Sequence, residues 1–446
     1  MDYLKLATQK GASYAELLNT KITSTIIESN NKQIKELSSG ETQMYAARAL
    51  CKGAWGLAYS SKPDFKGLVA SAIKNAKSIK QNIRIKDVEP TKLLIDARYV
   101  DNPLEIDIED KKALLLSLDE RRQHNKISSL NLTYADRTSE NHMENTEGSS
   151  ITTSSVRTAM FSTAYAKQGS KMDHFTSILR KRAGYEIMEK ASETVQESMK
   201  KAEMMLNAKY AKGGIFPTIT DQHLAGVFAH EAVGHACEAD LVLAGSSVLA
   251  GKMGRKVGNE IVTIFDDGGA DAWGHTPADS EGIKSHHTLL INKGMLQGYL
   301  HNRETAAIFK AEPTGNGRSQ DPSRRVIPRM TNTAIAEGDS SFEEMLSEVK
   351  KGYYLKGSAG GQVDTAGGDF LFNAREGYLI EDHKIKHMIK GVSLLGSILD
   401  TLHNIKLIAR DTDFDTGFCG KADQSVPVAC GAPHVLFEKA KIGGAK

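Results

Sequence analysis

The spacing of apolar residues divides the first 80 positions into a helix, an antiparallel meander and a second helix. Residues 1–10 predict a short helix that Gly11 ends, because glycine is common just past a helix C-terminus. The run from 12 to 27 mixes apolar residues with Thr and Ser, which is typical of a strand. Apolar residues recur at a helical period over 68–79. Between these segments we predict strands with breaks at glycine, the first at Gly40: 34–37, 44–51 and 55–59.

Residues 81–212 repeat this combination of strands and helices. A polar connector that contains Pro90 covers residues 83–102 and separates the two parts. The second part ends in a long segment, 185–210, whose apolar residues recur at helical spacing. We therefore predict two N-terminal α/β subdomains, residues 1–103 and residues 104–212. The other elements predicted in the second subdomain are a helix at 108–125 and strands at 127–136, 142–146 and 150–168.

A change of pattern at Gly213-Gly214-Ile215-Phe216-Pro217 marks the start of a third domain, residues 213–446. Beyond Leu243, short apolar runs alternate with glycine and polar turns, which indicates a β-barrel or β-sandwich rather than βαβ units. The predicted fold class is α+β: an N-terminal α/β region of antiparallel strands and helices, then a β-rich, barrel-like C-terminal domain. The runs predicted as strands are 261–266, 288–291, 298–300, 353–356, 362–364, 369–372, 377–380, 392–395, 404–410, 425–429 and 434–438.

The residues from Phe228 to Asp240 concentrate metal-ligand side chains inside an apolar run. They contain two histidines, one cysteine and three carboxylates. Charged side chains are rarely buried unless they are paired or bound to a metal, and neutral imidazole is the commonest metal ligand. A lone histidine there would more often hydrogen-bond to backbone or to a carboxylate. The pair His230 and His235, with Glu231 directly after the first, favours a metal site on a helix.

The two histidines stand five positions apart, whereas the usual zinc-protease helix places them four apart. On a regular helix, five steps leave the side chains roughly 140° apart, so His230 and His235 could not bind one ion comfortably. A turn with i→i+5 hydrogen bonds brings them back into line, and such turns are frequent at functional sites. We predict this wide turn between the two histidines, with Gly234 easing the local distortion.

A catalytic zinc usually takes three protein ligands, and the spacing of residues leaves the third open. Cys419 lies beside a glycine on a predicted turn, where a thiolate needs an electropositive neighbour. The alternative for Cys419 is a small buried apolar residue, the commoner role of a free cysteine. The full set of candidates is Cys237, Glu238, Asp240, His275, His286, His287, Cys419 and Cys430.

Composition and charge exclude several classes of function. The 446 residues carry a net charge of +2, so neither general nucleic-acid binding nor binding to anionic membranes is supported. The four cysteines form no CxxC pair, which excludes a zinc ribbon and fits a reducing compartment. No run is long and apolar enough for a membrane span, and no secretion signal is evident. We expect a cytoplasmic protein.

Several segments closely resemble the TldD branch of the TldD/PmbA family, and together they extend over nearly the whole chain. The resemblance rests on Gly53-Ala54-Trp55-Gly56, on the run from His230 to His235, on Thr314-Gly315-Asn316-Gly317-Arg318, on Ile380-Glu381, and on the run from Cys419 to Pro427. The PmbA branch, also called TldE, is similar in fold but lacks the histidine motif. Since that motif is present, the chain resembles the active branch.

The resemblance implies a zinc metalloprotease that acts on unfolded or flexible peptides. It implies Zn²⁺ ligands at His230, His235 and Cys419, and a catalytic glutamate at Glu231. It also implies a β-rich metal domain behind an N-terminal α/β region. Members of the family pair a TldD-like with a PmbA/TldE-like subunit, so a heterodimer or a homodimer is expected.

From these residues follows a hypothesis for the mechanism. Glu231 would act as the general base on zinc-bound water, while a peptide binds in extended form along a sheet edge of the C-terminal domain. Donors for the oxyanion could come from a set that the sequence does not rank: His286, His301, Arg318 and Arg329. The alternative is a non-enzymatic modulator or binding protein that keeps a structural zinc and acts through a PmbA-like partner. A structural site would need a fourth protein ligand, and it has no need of a base at Glu231.

Overall fold

The computed structural model describes residues 2–119 and 124–444. The chain divides into two compact units. The first comprises residues 1–206 with two short later segments, 280–284 and 319–326. The second comprises 207–279, 285–318 and 327–446. The predicted boundary near residue 103, between two N-terminal subdomains, stays a prediction.

The first unit is a sheet of mainly antiparallel strands, with helices packed against it and with β4 parallel to β6. Its helices are α1 (Tyr3–Gln9), α2 (Phe65–Lys77), α3 (Ile108–Ser117) and α4 (Ala191–Met205), the last preceded by a 3₁₀ segment, Tyr185–Lys190. Its strands are β1 (Tyr14–Asn30), β2 (Gln33–Cys51), β3 (Ala54–Ser60), β4 (Lys92–Ile95), β5 (Ile127–Asn145), β6 (Ser150–Gln168) and β7 (Lys171–Lys181). The strand order is β3-β2-β1-β5-β6, with β4 and β7 also paired to β6.

Local sequence explains where these helices begin and which faces they bury. The side chain of Asp64 accepts a hydrogen bond from the Gly67 amide and caps α2. The buried side of α2 follows the helical period of its apolar residues: Leu68, Val69, Ala72, Ile73 and Ala76. The predicted helix at 1–10 is confirmed, and Gly11 follows it with a φ of +93°.

Several boundaries predicted in this unit are wrong. Strand β2 runs straight through Gly40, which pairs with Ser24 of β1, and β5 continues through the predicted gap between 136 and 142. Continuous ladder pairing with a neighbouring strand overrides the weak local preference of glycine and polar residues. The predicted helix at 108–125 ends at Ser117, and its residues 120–123 lie outside the described residues. Strands β4 and β7 were not predicted.

The second unit is β-rich, as predicted. Its strands are β8 (Lys209–Tyr210), β9 (Gly214–Thr220), β10 (Ile264–Asp267), β11 (His287–Asn292), β12 (Met295–Leu296), β13 (Gly317–Arg318), β14 (Ile327–Pro328), β15 (Asn332–Ile335), β16 (Lys351–Asp364), β17 (Asp369–Glu381), β18 (Lys384–Lys390), β19 (Val392–Ser397), β20 (Ile405–Ile408), β21 (Asp413–Lys421), β22 (Gln424–Ala432) and β23 (Val435–Gly444). Its helices are α5 (Gln222–Val227), α6 (Ala239–Leu243), α7 (Arg303–Phe309), α8 (Phe342–Glu348) and α9 (Ile398–His403).

Five of these strands pair in a closed ring, which confirms the barrel. The order around the ring is β16-β9-β23-β19-β17, and β17 pairs again with β16. Two runs predicted as separate strands, 353–356 and 362–364, are both parts of β16, which continues across a bulge between Ser358 and Gly361. Helices α7, α8 and α9 were not predicted, because each has at most seven residues and leaves little periodic signal.

A second sheet, in the order β12-β11-β10-β15-β22-β21, lies on the other side of α5 within this unit. Helix α5 contacts barrel strands β9 and β16 and sheet strands β15, β21 and β22. Its approach to β22 is close, since a Cβ on Gly226 would meet the Cys430 carbonyl oxygen at 2.5 Å. The helical segment is therefore buried on several sides, which accounts for its almost wholly apolar flanks.

Candidate metal centre

The candidate metal-ligand residues begin directly after α5. The side chain of Asp221 caps this helix by accepting a hydrogen bond from the Leu224 amide at 2.9 Å. Phe228 then packs its ring against Phe370 and Phe437 at centroid distances of 5.4 and 5.9 Å. These buried contacts fix the helical segment against the barrel just before the first histidine.

The wide turn predicted between the two histidines is confirmed. Residues Phe228–Gly234 form a π-helical segment, followed by a 3₁₀ turn at His235–Cys237. The imidazole rings of His230 and His235 face the same site, with ring centroids 5.3 Å apart. The i→i+5 pattern turns a five-residue spacing, which a regular helix would splay, into a pair of neighbouring ligands.

The reason for glycine at position 234 differs from the predicted one. The backbone of Gly234 has ordinary right-handed helical angles, φ −56° and ψ −53°. A Cβ at this position, however, would lie 2.0 Å from the Met330 sulfur. Gly234 is therefore needed for close packing of the helical segment beside β15, and not to relieve backbone distortion.

Cys419 reaches the two histidines from strand β21. Its sulfur lies 3.2 Å from Nε2 of His235. Ligand atoms of His230, His235 and Cys419 all lie within 4.8 Å of one another. Donor atoms from the helical segment and from a strand residue 184 positions after His235 thus converge on one small volume.

This cluster fits a zinc ion. His230 is 1% exposed, and neither of its ring nitrogens has a hydrogen-bond partner among the described residues. Leaving a buried polar group unsatisfied costs about 1–3 kcal/mol, so the unsatisfied imidazole of His230 fits a residue that would hold a metal ion. Two imidazoles and a thiolate are also the nitrogen and sulfur donors that zinc prefers.

Charges within the cluster favour the thiolate form of Cys419. Burial raises the pKa of the Cys419 thiol, but the nearby imidazoles of His230 and His235 outweigh this effect and lower it to about 5. Burial lowers the pKa of His235, while Glu238 and Cys419 raise it to about 10. The sulfur is therefore ionised at neutral pH, which is the form that binds metals. Because a histidine must be neutral to bind a metal, metal binding here releases protons.

Glu238 holds the second histidine in position. Its carboxylate lies 2.8 Å from Nδ1 of His235, so in the neutral ring Nδ1 keeps the proton and Nε2 is left unprotonated, facing the cluster. Glu238 is fully buried, with Nζ of Lys421 at 3.1 Å and Nε of Arg329 at 3.8 Å. These cations help to keep the pKa of Glu238 below its usual range, together with the larger contribution of His235 and against the effect of burial. Glu238 is thus a buried anion that orients the candidate ligand His235.

The predicted catalytic glutamate lies beside the cluster and is accessible to solvent. The side chain of Glu231 is 37% exposed, and its Oε2 is 3.6 Å from Nε2 of His235. The π-helical segment that aligns the two histidines also carries Glu231. The carboxylate of Glu231 therefore lies next to the three candidate ligand atoms and is open to solvent, as a candidate general base must be.

The other candidates for the third ligand have different surroundings. Asp240 pairs with Lys421 at 2.7 Å, and Cys237 is buried in the 3₁₀ turn. His287 lies near Asp267, with a side chain that is 49% exposed. Cys430 is buried on β22 near His230, and burial raises the pKa of its thiol, so this sulfur is less suited than Cys419 to bind a metal as a thiolate. Among the described residues, the group of ligand atoms within 4.8 Å includes Cys419 and none of these four.

Two of the predicted oxyanion donors are already engaged with the backbone. Arg318 donates to the carbonyl oxygens of Met330 and Pro427, and Arg329 donates to that of Cys419. Both arginines are buried and fix the strands around the cluster. Burial lowers the pKa of His301 to about 4, so that ring is neutral at neutral pH. Which of the four candidates stabilises an oxyanion stays a prediction.

Sequence reasoning missed the two residues that support His235. The pattern predicts Glu238 only as a candidate metal ligand, and Lys421 only as part of a family motif. A signal was present for Glu238, because i and i+3 side chains on a helical segment are neighbours. No local signal exists for Lys421, which reaches Glu238 from a strand 183 positions later in the sequence.

Replacing Glu238 should weaken metal binding. We expect Glu238→Ala to raise the zinc Kd about 10- to 100-fold, because His235 loses the acceptor that fixes its ring. Glu238→Gln, whose amide oxygen can still accept from Nδ1, should have a smaller effect. Competitive zinc titration of both variants measures this, with thermal unfolding as a check on folding. A folded Glu238→Ala protein with the zinc affinity of the parent chain would contradict the assignment.

A β-barrel unit that presents this histidine, glutamate and cysteine arrangement has the donor set of a metal-dependent hydrolase. Domain models of one family match the chain: PmbA/TldA metallopeptidase domain 1 over residues 15–76, the central domain over 101–206 and the C-terminal domain over 213–444. The chain therefore belongs to the PmbA/TldD metallopeptidase family. Among the described residues, no helix combines the length and apolar character that a membrane crossing requires.

Similar proteins extend over almost the whole chain. A metalloprotease of Methanothermobacter thermautotrophicus is 37% identical over 97% of this chain and 95% of its own length. A zinc metalloprotease TldD homolog of Saccharolobus solfataricus is 27% identical over 99% of both chains. The crystal structure of TldE from Thermococcus kodakarensis is 19% identical and has a TM-score of 0.77 over 99% of both chains. At that identity, the TldE structure supports the fold alone.

Proposed function

We propose that this chain is a zinc-dependent peptidase that hydrolyses unfolded or flexible peptides bound in extended form. The observation that carries the proposal is the convergence of His230, His235 and Cys419 beside a solvent-accessible Glu231. The names of the relatives support a metalloprotease. The residue roles, the metal and the substrate class are the parts that the proposal adds.

The chemistry follows from the donors and the base. Zinc bound by the two imidazoles and the thiolate would supply a Lewis acid and lower the pKa of a bound water. Glu231 takes the proton from the attacking water and later delivers it to the leaving amine. Glu238 keeps His235 in one tautomer throughout, because its carboxylate accepts from Nδ1 at 2.8 Å.

Strand β21 offers the edge along which a peptide would bind. It is the last strand of its sheet among the described residues, and it carries Cys419. Strand β22 pairs with β21, and two of its residues make no N–H bond to β21. The Ala429 amide donates instead to the Thr331 carbonyl, away from β21, and Pro427 has no N–H. In an antiparallel pair, the residues opposite these two turn their own N–H and C=O groups outward. Phe418, which pairs with Pro427, therefore directs its backbone toward the open edge, as strand addition requires.

The number of ligands favours the enzyme over a structural zinc. A closed structural site has four protein ligands, whereas a catalytic site keeps one position for water. Within the described residues, three ligand atoms lie within 4.8 Å of one another. The accessible carboxylate of Glu231 adds a base that a modulator with a structural zinc would not need.

A second subunit and a cytoplasmic location complete the proposal. The segment around β4 in the first unit exposes apolar side chains, including Val100 at 81% and Leu94 at 68%. Exposed apolar side chains close together in sequence are a candidate for a surface that binds another protein. We assign this surface to a dimer, formed either by two copies of this chain or with a PmbA/TldE-like subunit.

Metal removal tests the proposed function. We expect purified chain to contain about one zinc ion and to cleave unfolded protein or flexible peptides, with and without an added PmbA/TldE-like subunit. A chelator should abolish cleavage, and one equivalent of zinc should restore it. Elemental analysis and a fluorescent peptide assay measure the two quantities. Cleavage that persists at full rate after the zinc has been removed would refute the proposal.

A further inference from the structure

The edge strand β21 presents two contrasting side-chain positions beside the metal ligand. Successive residues of a strand face opposite sides of the sheet. Cys419 points toward the histidines, so Gly417 lies on the same, metal-facing side, and Phe418 lies on the opposite side. The Phe418 side chain is exposed, whereas Cys419 is buried.

We propose that Phe418 and Gly417 determine which peptide side chains the site accepts. This inference rests on the proposed function and names its substrate class. Phe418 selects a large apolar side chain on one face of the bound peptide. Gly417 leaves room for a bulky neighbouring side chain on the metal-facing side. The preferred substrate is an extended segment with a large apolar residue next to a residue of any size.

Phe418 is built as a rigid apolar surface. Its ring is 55% exposed and packs edge-on against Trp273, with centroids 6.0 Å apart and planes at 89°. Trp273 is itself only 4% exposed, so the Phe418 ring rests on a buried side chain. A supported aromatic ring on a strand edge can bury an apolar partner at little cost in side-chain entropy. A strand added along β21 would place every second peptide side chain on this side of the sheet, and the residue opposite Phe418 would meet the ring.

Gly417 is not required by its backbone or by close packing. It is absent from the positive-φ glycines of the described residues, and a Cβ at 417 would have no atom within 4 Å. Glycine weakens a strand, and within strands it often marks a place where a ligand or another backbone approaches closely. The open space beside Gly417 lies on the metal-facing side of β21, two residues before Cys419.

The geometry of strand addition links the two positions. A peptide residue opposite Gly417 points its side chain to the metal-facing side and fills the space that Gly417 leaves. The next peptide residue points to the other side and meets the Phe418 ring. Specificity thus comes from the side chains of β21, while backbone pairing supplies affinity for any extended segment.

The test separates recognition from turnover by using zinc-loaded Glu231→Gln chain as the binding protein. Peptides that differ only by Leu or Ser at one position, or by Phe or Ala at its neighbour, are titrated by fluorescence anisotropy. For at least one peptide position, we expect the Leu peptide to bind with a Kd about 10-fold lower than the Ser peptide. Phe418→Ala should remove most of that difference. Gly417→Val should weaken binding of the peptide with Phe in the metal-facing position and spare the peptide with Ala.

Matched controls come from the first unit. Tyr59 is 58% exposed on β3, and a Cβ added to Gly40 on β2 would have no atom within 4 Å. Tyr59→Ala and Gly40→Val should leave every Kd ratio unchanged. The inference would be overturned if the Leu/Ser ratio of Kd values were the same with and without Phe418→Ala. It would also be overturned if Gly417→Val weakened binding of the Phe and Ala peptides equally. Selective binding without any cleavage by the unmutated chain would instead refute the proposed function and leave this inference supported.

Discussion

Glu231→Gln should keep its zinc and lose almost all of its peptidase activity. The substitution removes the base but preserves the size of the side chain, and positioned general bases contribute about 10²- to 10⁴-fold to rate. Glu231 is 37% exposed and is not one of the three ligands within 4.8 Å, so the metal site should survive. We therefore expect kcat to fall by this factor while the zinc content stays near one per chain. Steady-state kinetics and elemental analysis measure the two quantities.

A suitable control is Glu348→Gln. The Glu348 side chain is 49% exposed and pairs with Lys406 on the protein surface, where an ion pair contributes little. This variant should retain both zinc and activity. If Glu231→Gln kept its zinc and also its full kcat, the general-base role would have to be abandoned.

Cys419→Ala should lose the metal itself. The change removes one of three ligands and leaves two buried imidazoles without the neighbouring thiolate. Loss of an outer-shell partner alone weakens metal binding 10- to 100-fold, so loss of a ligand should exceed about 100-fold in zinc Kd. The increase in Tm that zinc gives to the unmutated chain, through preferential binding to the folded state, should disappear as well. Zinc titration and thermal unfolding with and without zinc measure these effects.

Cys430→Ala is the matched control for this experiment. Cys430 is also a buried thiol near His230, but it lies outside the group within 4.8 Å. The zinc affinity of the Cys430→Ala variant should stay close to that of the unmutated chain. A full zinc complement in Cys419→Ala would show that another residue supplies the third ligand, and His286, His287 and Glu238 would be tested next.

The candidate site was predictable where its geometry is local. The spacing of His230 and His235, together with helical angular arithmetic, was enough to predict the wide turn that the structure has. The reason for Gly234 was not predictable, because the Met330 sulfur that excludes a Cβ comes from a position 96 residues away. Local periodicity carries no information about such contacts.

The strands show the same division. The alternating apolar pattern located many of the β segments, but it missed β4, β7 and β21, the last of which includes the predicted turn at Cys419. Breaks predicted from glycine and polar residues were wrong at Gly40 and between 136 and 142. In both places, pairing with neighbouring strands continues through the residues of low strand preference. The turn at Ala422-Asp423 is a related case, since both residues have positive φ values, 49° and 55°, without being glycine. Hairpin pairing of β21 with β22 holds them there.

By itself, the sequence determined the α+β class, the β-rich second half and the helical segment with its two aligned histidines. These follow from residue periodicity and from side chains within one turn of each other. Residue spacing left the third member of the cluster open, and the family resemblance pointed to Cys419, which the tertiary structure brings to His235. The tertiary structure alone decided that Glu238 and Lys421 support that histidine and that β21 lies at a sheet edge. Such features arise when strands distant in sequence pair and bury a shared core, and their free energy depends on contacts that no local pattern contains.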